Sequence, residues 1–178
     1  MHVFLAEIEH RAFRMAQLAT GNRDDALDIV QDAMMKLVQK YSTHDKASWK
    51  PLFYSILESR ILDWHRRQQV RNRFRSWLHL GASDGYADDE TEDALEQHPA
   101  EISGIPDFQL QDAQFMQSLE LALQDLPLRQ QQVFLLRIWE GLDISQTAIA
   151  MNCSESSVKT HYARALDKLR EALKEHKT

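Results

Sequence analysis

Residues 82–107 carry nine Asp and Glu and no Lys or Arg, and this block limits how the rest of the chain can fold. The segment, ASDGYADDETEDALEQHPAEISGIPD, has few large apolar side chains, so it cannot bury enough surface to offset the entropy of ordering it. It reads as a flexible acidic linker. The chain of 178 residues then divides into two small units, 1–81 and 108–178. Charge divides along the same line: 1–81 hold 13 Lys and Arg against 9 acids, a net of +4, whereas 108–178 hold 8 against 9, a net of −1. The overall net charge of −6, which would argue against a nucleic-acid partner, thus hides a basic first unit.

Five glycines and four prolines leave few interruptions, and an all-α fold of two small helical domains is expected. In the first unit Leu5, Ile8, Ala12, Ala16 and Ala19 line one helical face, stopped by Gly21 and Asn22. A second stripe runs Ala26, Ile29 and Val30, Ala33, Leu37 and Tyr41, with Asp24 and Asp25 at its positive end. A third helix follows a break at 42–51, turning Phe53, Ile56, Leu57, Ile61 and Trp64 inward and Ser55, Ser59, Arg60, Asp63 and Arg67 outward.

The second unit opens with Phe115, Leu119, Ala122, Leu123 and Leu126 at helical spacing, re-set at Pro127, and its next helix ends at Gly141. Asp143 followed by Gln146 is a capping-box pattern, and Asn152 and Ser154 suit a tight turn and a second cap. The last helix packs Val158, Tyr162, Ala165, Leu169 and Leu173. A short helix, a tight turn and a longer helix make a helix-turn-helix, which sets the first turns of its second helix into the major groove. The outward residues there, Glu155, Ser156, Ser157, Lys159, Thr160, His161 and Arg164, can reach base edges or phosphates; an ordinary solvated helix face has the same polarity.

The stretch after Trp64 is the most basic in the chain. Arg60, Arg66, Arg67, Arg71, Arg73 and Arg75 stand against one acid, Asp63, with Trp64, Phe74 and Trp77 among them. Cations that pair phosphates beside rings that stack unpaired bases favour nucleic acid over a merely solvated helix end. Trp49, Phe53 and Tyr54 lie near the same helix, and Phe53 reads as core. No nucleophile-and-base arrangement or phosphate-cradling glycine loop stands out, so no enzyme is expected. One cysteine, Cys153, and eight scattered histidines give no metal-ligand spacing, so no metal or cofactor is expected, and Cys153 reads as a small packing residue. No apolar run approaches the roughly 18 residues of a membrane span, which points to a soluble cytoplasmic protein.

Three stretches resemble the extracytoplasmic-function group of sigma-70-type factors. The tract from Asp25 to Ala33 is similar to the region 2.2 motif. The run from Leu52 to Arg67 is similar to regions 2.3 and 2.4, and Leu126 through Leu142 to Arg170 resembles region 4. The resemblance implies a polymerase specificity subunit that directs core RNA polymerase to promoters. It assigns Asp28, Val30, Gln31 and Asp32 to the β′ clamp helices and region 4 to the β flap. It assigns Ser59, Arg60, Asp63, Trp64, Arg66, Arg67 and Arg71 to the −10 element, and Ser157, Lys159, Thr160, His161 and Arg164 to the −35 element. The linker would thread toward the RNA exit path, and an anti-sigma factor is a possible partner. Leu52 stands where the family usually has an aromatic residue, Ser59 where Asn is frequent, Asn152 where the turn often has Gly, and Leu166 where a second Arg is common.

With a nearly neutral region 4, specific binding would depend on polymerase holding both domains at the spacing of two promoter elements. Two other readings are a sigma mimic that sequesters an anti-sigma factor, and a stand-alone helix-turn-helix regulator acting as a dimer.

Overall fold

A computed structural model describes residues 1–79 and 110–174, with the side chains of 78–79 and 110–114 left out; the acidic block 82–107 lies outside the described residues. Among them the chain forms seven helices and no strand: α1 (His2–Thr20), α2 (Arg23–Tyr41), α3 (Lys46–His79), α4 (Leu110–Gln124), α5 (Leu128–Ile138), α6 (Ile144–Met151) and α7 (Glu155–Lys174).

Local chemistry sets the boundaries. Gly21 closes α1 in the left-handed region, φ 65°, and its N–H donates to the Gln17 carbonyl. Asn22 caps α2 from the next position, its side chain accepting from the N–H groups of Asp24 and Asp25. The break expected over 42–51 is shorter than the sequence suggested. α3 begins at Lys46 and takes in Pro51, which lies near enough to the start that its missing N–H removes little of the helical ladder.

In the second half the capping box at Asp143 forms in full: its side chain accepts from the Gln146 N–H at 2.7 Å, and the Gln146 side chain accepts from the Asp143 N–H at 3.0 Å. Asn152 adopts φ 48°, and Ser154 accepts from the Ser157 N–H at 3.1 Å, so the turn and second cap expected there are present. Since α6 has only eight residues, its end groups weigh heavily in its stability. Asp143→Ala should lower the urea unfolding free energy by about 1 kcal/mol, and a midpoint unchanged from the parent would contradict that role for the cap.

Apolar periodicity selects the core. Ile8, Ala12 and Ala16 of α1, Ala26, Val30, Ala33 and Leu37 of α2, and Phe53, Leu57 and Ile61 of α3 are buried together. Trp49 and Tyr54 join them, Trp49 at 5.9 Å from the Phe4 ring, so these aromatics are core. In the second bundle α7 lies against α4, α5 and α6, burying Leu123, Val133, Leu135, Leu136, Leu142, Val158, Ala165 and Leu169. Phe115, expected inside, is exposed, and Cys153 is only half-buried.

The two bundles touch. α6 packs along α3, and α1 meets α4 and α5. The Gln131 amide spans the junction, donating to the Leu123 carbonyl at 2.9 Å and the Leu18 carbonyl at 3.4 Å.

Candidate nucleic-acid interface

α3 carries the first surface. Its N-terminal half is buried against α1 and α2, whereas most side chains from Arg66 to Trp77 face solvent. Val70, Phe74 and Trp77, at 68%, 58% and 70% exposure, fall at i, i+4 and i+7 and form one apolar stripe. Arg66 and Arg73 flank it on one side and Arg67 and Arg71 on the other, by helical spacing. The Phe74 and Trp77 rings lie 5.9 Å apart and tilted by 32°, presenting π-faces between guanidinium groups. Asp63 is the acid in this stretch: it sits 3.6 Å from Arg66, and its carbonyl accepts from Arg67 Nε at 3.3 Å. Ser59 is exposed, while Arg60, Asp63 and Trp64 are half-buried.

α7 carries the second surface. Lys159, Thr160 and Arg164 are exposed on its outer side, with Ser156 and Ala163 between them. Thr160 Oγ1 donates back to the Ser156 carbonyl at 3.0 Å, which fixes its rotamer and leaves its lone pairs outward. Ser157 and His161 lie at the edge of this face and are half-buried. Burial pushes the His161 pKa down, and the Arg129 and Arg164 charges push the same way. A neutral imidazole suits hydrogen bonding to a base edge better than neutralising a phosphate.

α2 holds the third group. Asp28, Gln31 and Asp32 are exposed, but Val30 is 3% exposed and packs into the core, so it braces the helix instead of facing outward. Sequence reading missed what stands beside them: Leu27, Met35 and Val38 are 39%, 58% and 43% exposed and, with Gln31, share one face. Their i, i+8, i+11 spacing was the available signal, masked by the stronger inward stripe of the same helix.

Residues 4–71 match the family described as Sigma-70 region 2, and residues 116–169 match Sigma-70, region 4. Relatives match across both halves. The chain is 29% identical over 151 residues to the ECF RNA polymerase sigma factor SigX of Bacillus subtilis, covering 84% of this chain and 71% of that protein. It is 26% identical over 163 residues to the RNA polymerase sigma factor SigV of the same organism, covering 89% and 81%. The chain belongs to the sigma-70 family, in its extracytoplasmic-function group.

The fold agrees with a solved sigma factor, RpoE of Bartonella quintana in complex with the anti-sigma factor NepR, at a TM-score of 0.62 and 22% identity over 98% of each chain. The region 2 match falls within α1 to α3, and the region 4 match within α4 to α7. No described helix is long and apolar enough to cross a membrane, and no described group of three or more His, Cys, Asp or Glu could hold a metal ion.

Proposed function

We propose that this sigma factor confers promoter recognition on core RNA polymerase in the cytoplasm and has no catalytic site of its own. What supports this reading is the presence on one chain of two unlike surfaces suited to nucleic acid. The α3 end pairs guanidinium groups with exposed rings, as single-stranded DNA requires. The α7 face offers a groove-sized helix with Lys159, Thr160 and Arg164 outward. Ser59, Arg60, Asp63, Trp64, Arg66, Arg67 and Arg71 take the −10 element, with Phe74 and Trp77 extending the stacking surface. Ser157, Lys159, Thr160, His161 and Arg164 take the −35 element.

The exposed face of α2, Leu27, Gln31, Met35 and Val38 edged by Asp28 and Asp32, docks on polymerase. An apolar stripe with an acidic rim has the make-up of a protein-protein contact. Region 4 meets the β flap, and an anti-sigma factor is a fitting antagonist. The units are 1–81 and 108–178, joined by the acidic segment 82–107.

Run-off transcription with purified core polymerase tests the reading. Adding the chain should create a defined start site, whereas the chain alone should show little promoter-specific binding. A sigma mimic would create no start site, and a dimeric regulator would protect a palindromic site without polymerase. Leu27→Lys with Met35→Glu should weaken core binding at least ~10-fold, because charge enters an apolar contact, and leave the circular-dichroism melt in place. Unchanged core affinity would remove α2 as the docking helix.

A further inference from the structure

Six methionines stand in the chain, and the fold separates one from the rest. Met15 and Met151 are buried, Met1 and Met34 pack against the core, and Met116 is half-buried where it lines a cleft between α1 and α4. Met35 alone is open to solvent, at 58% exposure. Its place on α2 gives that exposure a consequence. Leu27, Gln31, Met35 and Val38 share the outward face of the helix, and Met35 is the most exposed of the three apolar members. A partner seated on this face must therefore desolvate the Met35 thioether.

An exposed thioether reacts with peroxides as it stands, whereas a cysteine must first lose its proton, because the thiolate is the nucleophile. The chain's one cysteine competes poorly. Cys153 is half-buried at the helix-helix turn, where burial pushes its thiol pKa up, the Arg129 charge pulls the other way and the Glu58 carboxylate adds to the rise.

We propose that Met35 is a reversible oxidation site through which a small hydroperoxide weakens docking of the free chain on core polymerase. The site is a property of the α2 surface, while its effect rests on the docking face proposed above. The Met35 sulfur attacks one oxygen of hydrogen peroxide with a lone pair, the O–O bond breaks, and the departing hydroxide takes the proton of the transferred oxygen and leaves as water. Sulfur gives up two electrons, and a flexible apolar side chain becomes a polar sulfoxide. Against an apolar partner surface the new S–O dipole loses its water and gains no donor, a penalty that the reduced chain does not meet. Bound polymerase covers the face, so oxidation falls on the free chain before assembly.

In the full free chain, hydrogen peroxide should place its first oxygen on Met35, at least ~5-fold faster than on any other methionine or on Cys153, as read by peptide mass spectrometry. The oxidised chain should bind core polymerase about 5-fold more weakly, with its circular-dichroism melt in place. A methionine sulfoxide reductase supplied with a dithiol should restore the affinity, since it returns the sulfur to the thioether. Each variant is compared with itself before and after peroxide. Cys153→Ser should lose as much affinity as the parent, and Met35→Leu should lose less than about two-fold, because leucine has no sulfur to oxidise. An oxygen that lands first on another residue overturns the site. Equal loss in Met35→Leu overturns the effect, because another residue then carries it. An oxidised chain that keeps its core affinity, while Leu27→Lys with Met35→Glu loses it, overturns the effect on docking without touching the docking face. The order of oxidation is read without polymerase or promoter, so a failed run-off experiment sinks the sigma reading without deciding the site.

Discussion

Promoter-dependent run-off transcription should fall at least ~100-fold when Arg66, Arg67 and Arg71 are all replaced by alanine, while binding to core polymerase stays unchanged. Each contact to a phosphate or base edge contributes about 1–3 kcal/mol, and every 1.4 kcal/mol is about ten-fold. All three side chains are exposed, so the folded state has little to lose. The Arg66–Asp63 pair, at 3.6 Å with side chains 76% and 41% exposed, contributes less than about 1 kcal/mol. Core affinity should stay if, as proposed, α2 docks on polymerase from another face. The slope of log affinity against log salt for the polymerase-promoter complex should flatten by roughly three, one for each lost phosphate contact. Transcription within three-fold of the parent would show that the end of α3 does not touch the promoter.

Glu58→Gln should stabilise the folded chain at alkaline pH by a few kcal/mol, and the gain should shrink toward pH 5. Glu58 is 2% exposed, and burial pushes its pKa up to about 8, with the Arg129 guanidinium pulling it partly back. Its Oε1 has no hydrogen-bond partner. Asp63 and Arg66 share its cleft, and Cys153 lies close enough to feel its charge. The folded chain holds this proton more tightly than the unfolded one, whose carboxyl titrates near 4.5. Stability contributed by the protonated form is therefore complete below that value, declines as pH rises from about 4.5 to 8, and changes no further above. Glutamine keeps the shape and cannot ionise. Urea midpoints at pH 5.5 and 8.5, with equal m-values, read the difference: the parent should weaken with pH and the variant should hold. Parallel pH slopes for the two would show that another group carries the proton.

These residues differ in how legible they were. Asn152, Gly141 and the Asp143–Gln146 box were readable because caps and left-handed turns depend on a few neighbouring atoms. The inward stripes of α1, α2 and α7 were readable because burial against any partner selects the same helical face. Phe115 was misplaced for a related reason: spacing shows which residues share a face, not how much of that face a neighbour covers. α3 began earlier than its proline suggested, since a proline in the opening turns of a helix costs few hydrogen bonds.

The groups at the junction between the halves were not legible at all. Glu58, Glu120 and Glu140 look like ordinary solvent-facing acids in sequence. Their partners, Arg129, Arg14, Arg11 and Lys50, lie tens of residues away.

By itself, the order of residues determined the helices, their caps, the helix-turn-helix and the basic aromatic end of α3, because each depends on contacts within a few residues. Only the tertiary structure decided that α6 lies along α3 and that Glu58 and Glu140 leave water between the two bundles, with Glu120 partly so. Such pairings depend on which surfaces of two independently formed bundles meet, and on the balance between desolvating charges and pairing them, neither of which is written in local spacing.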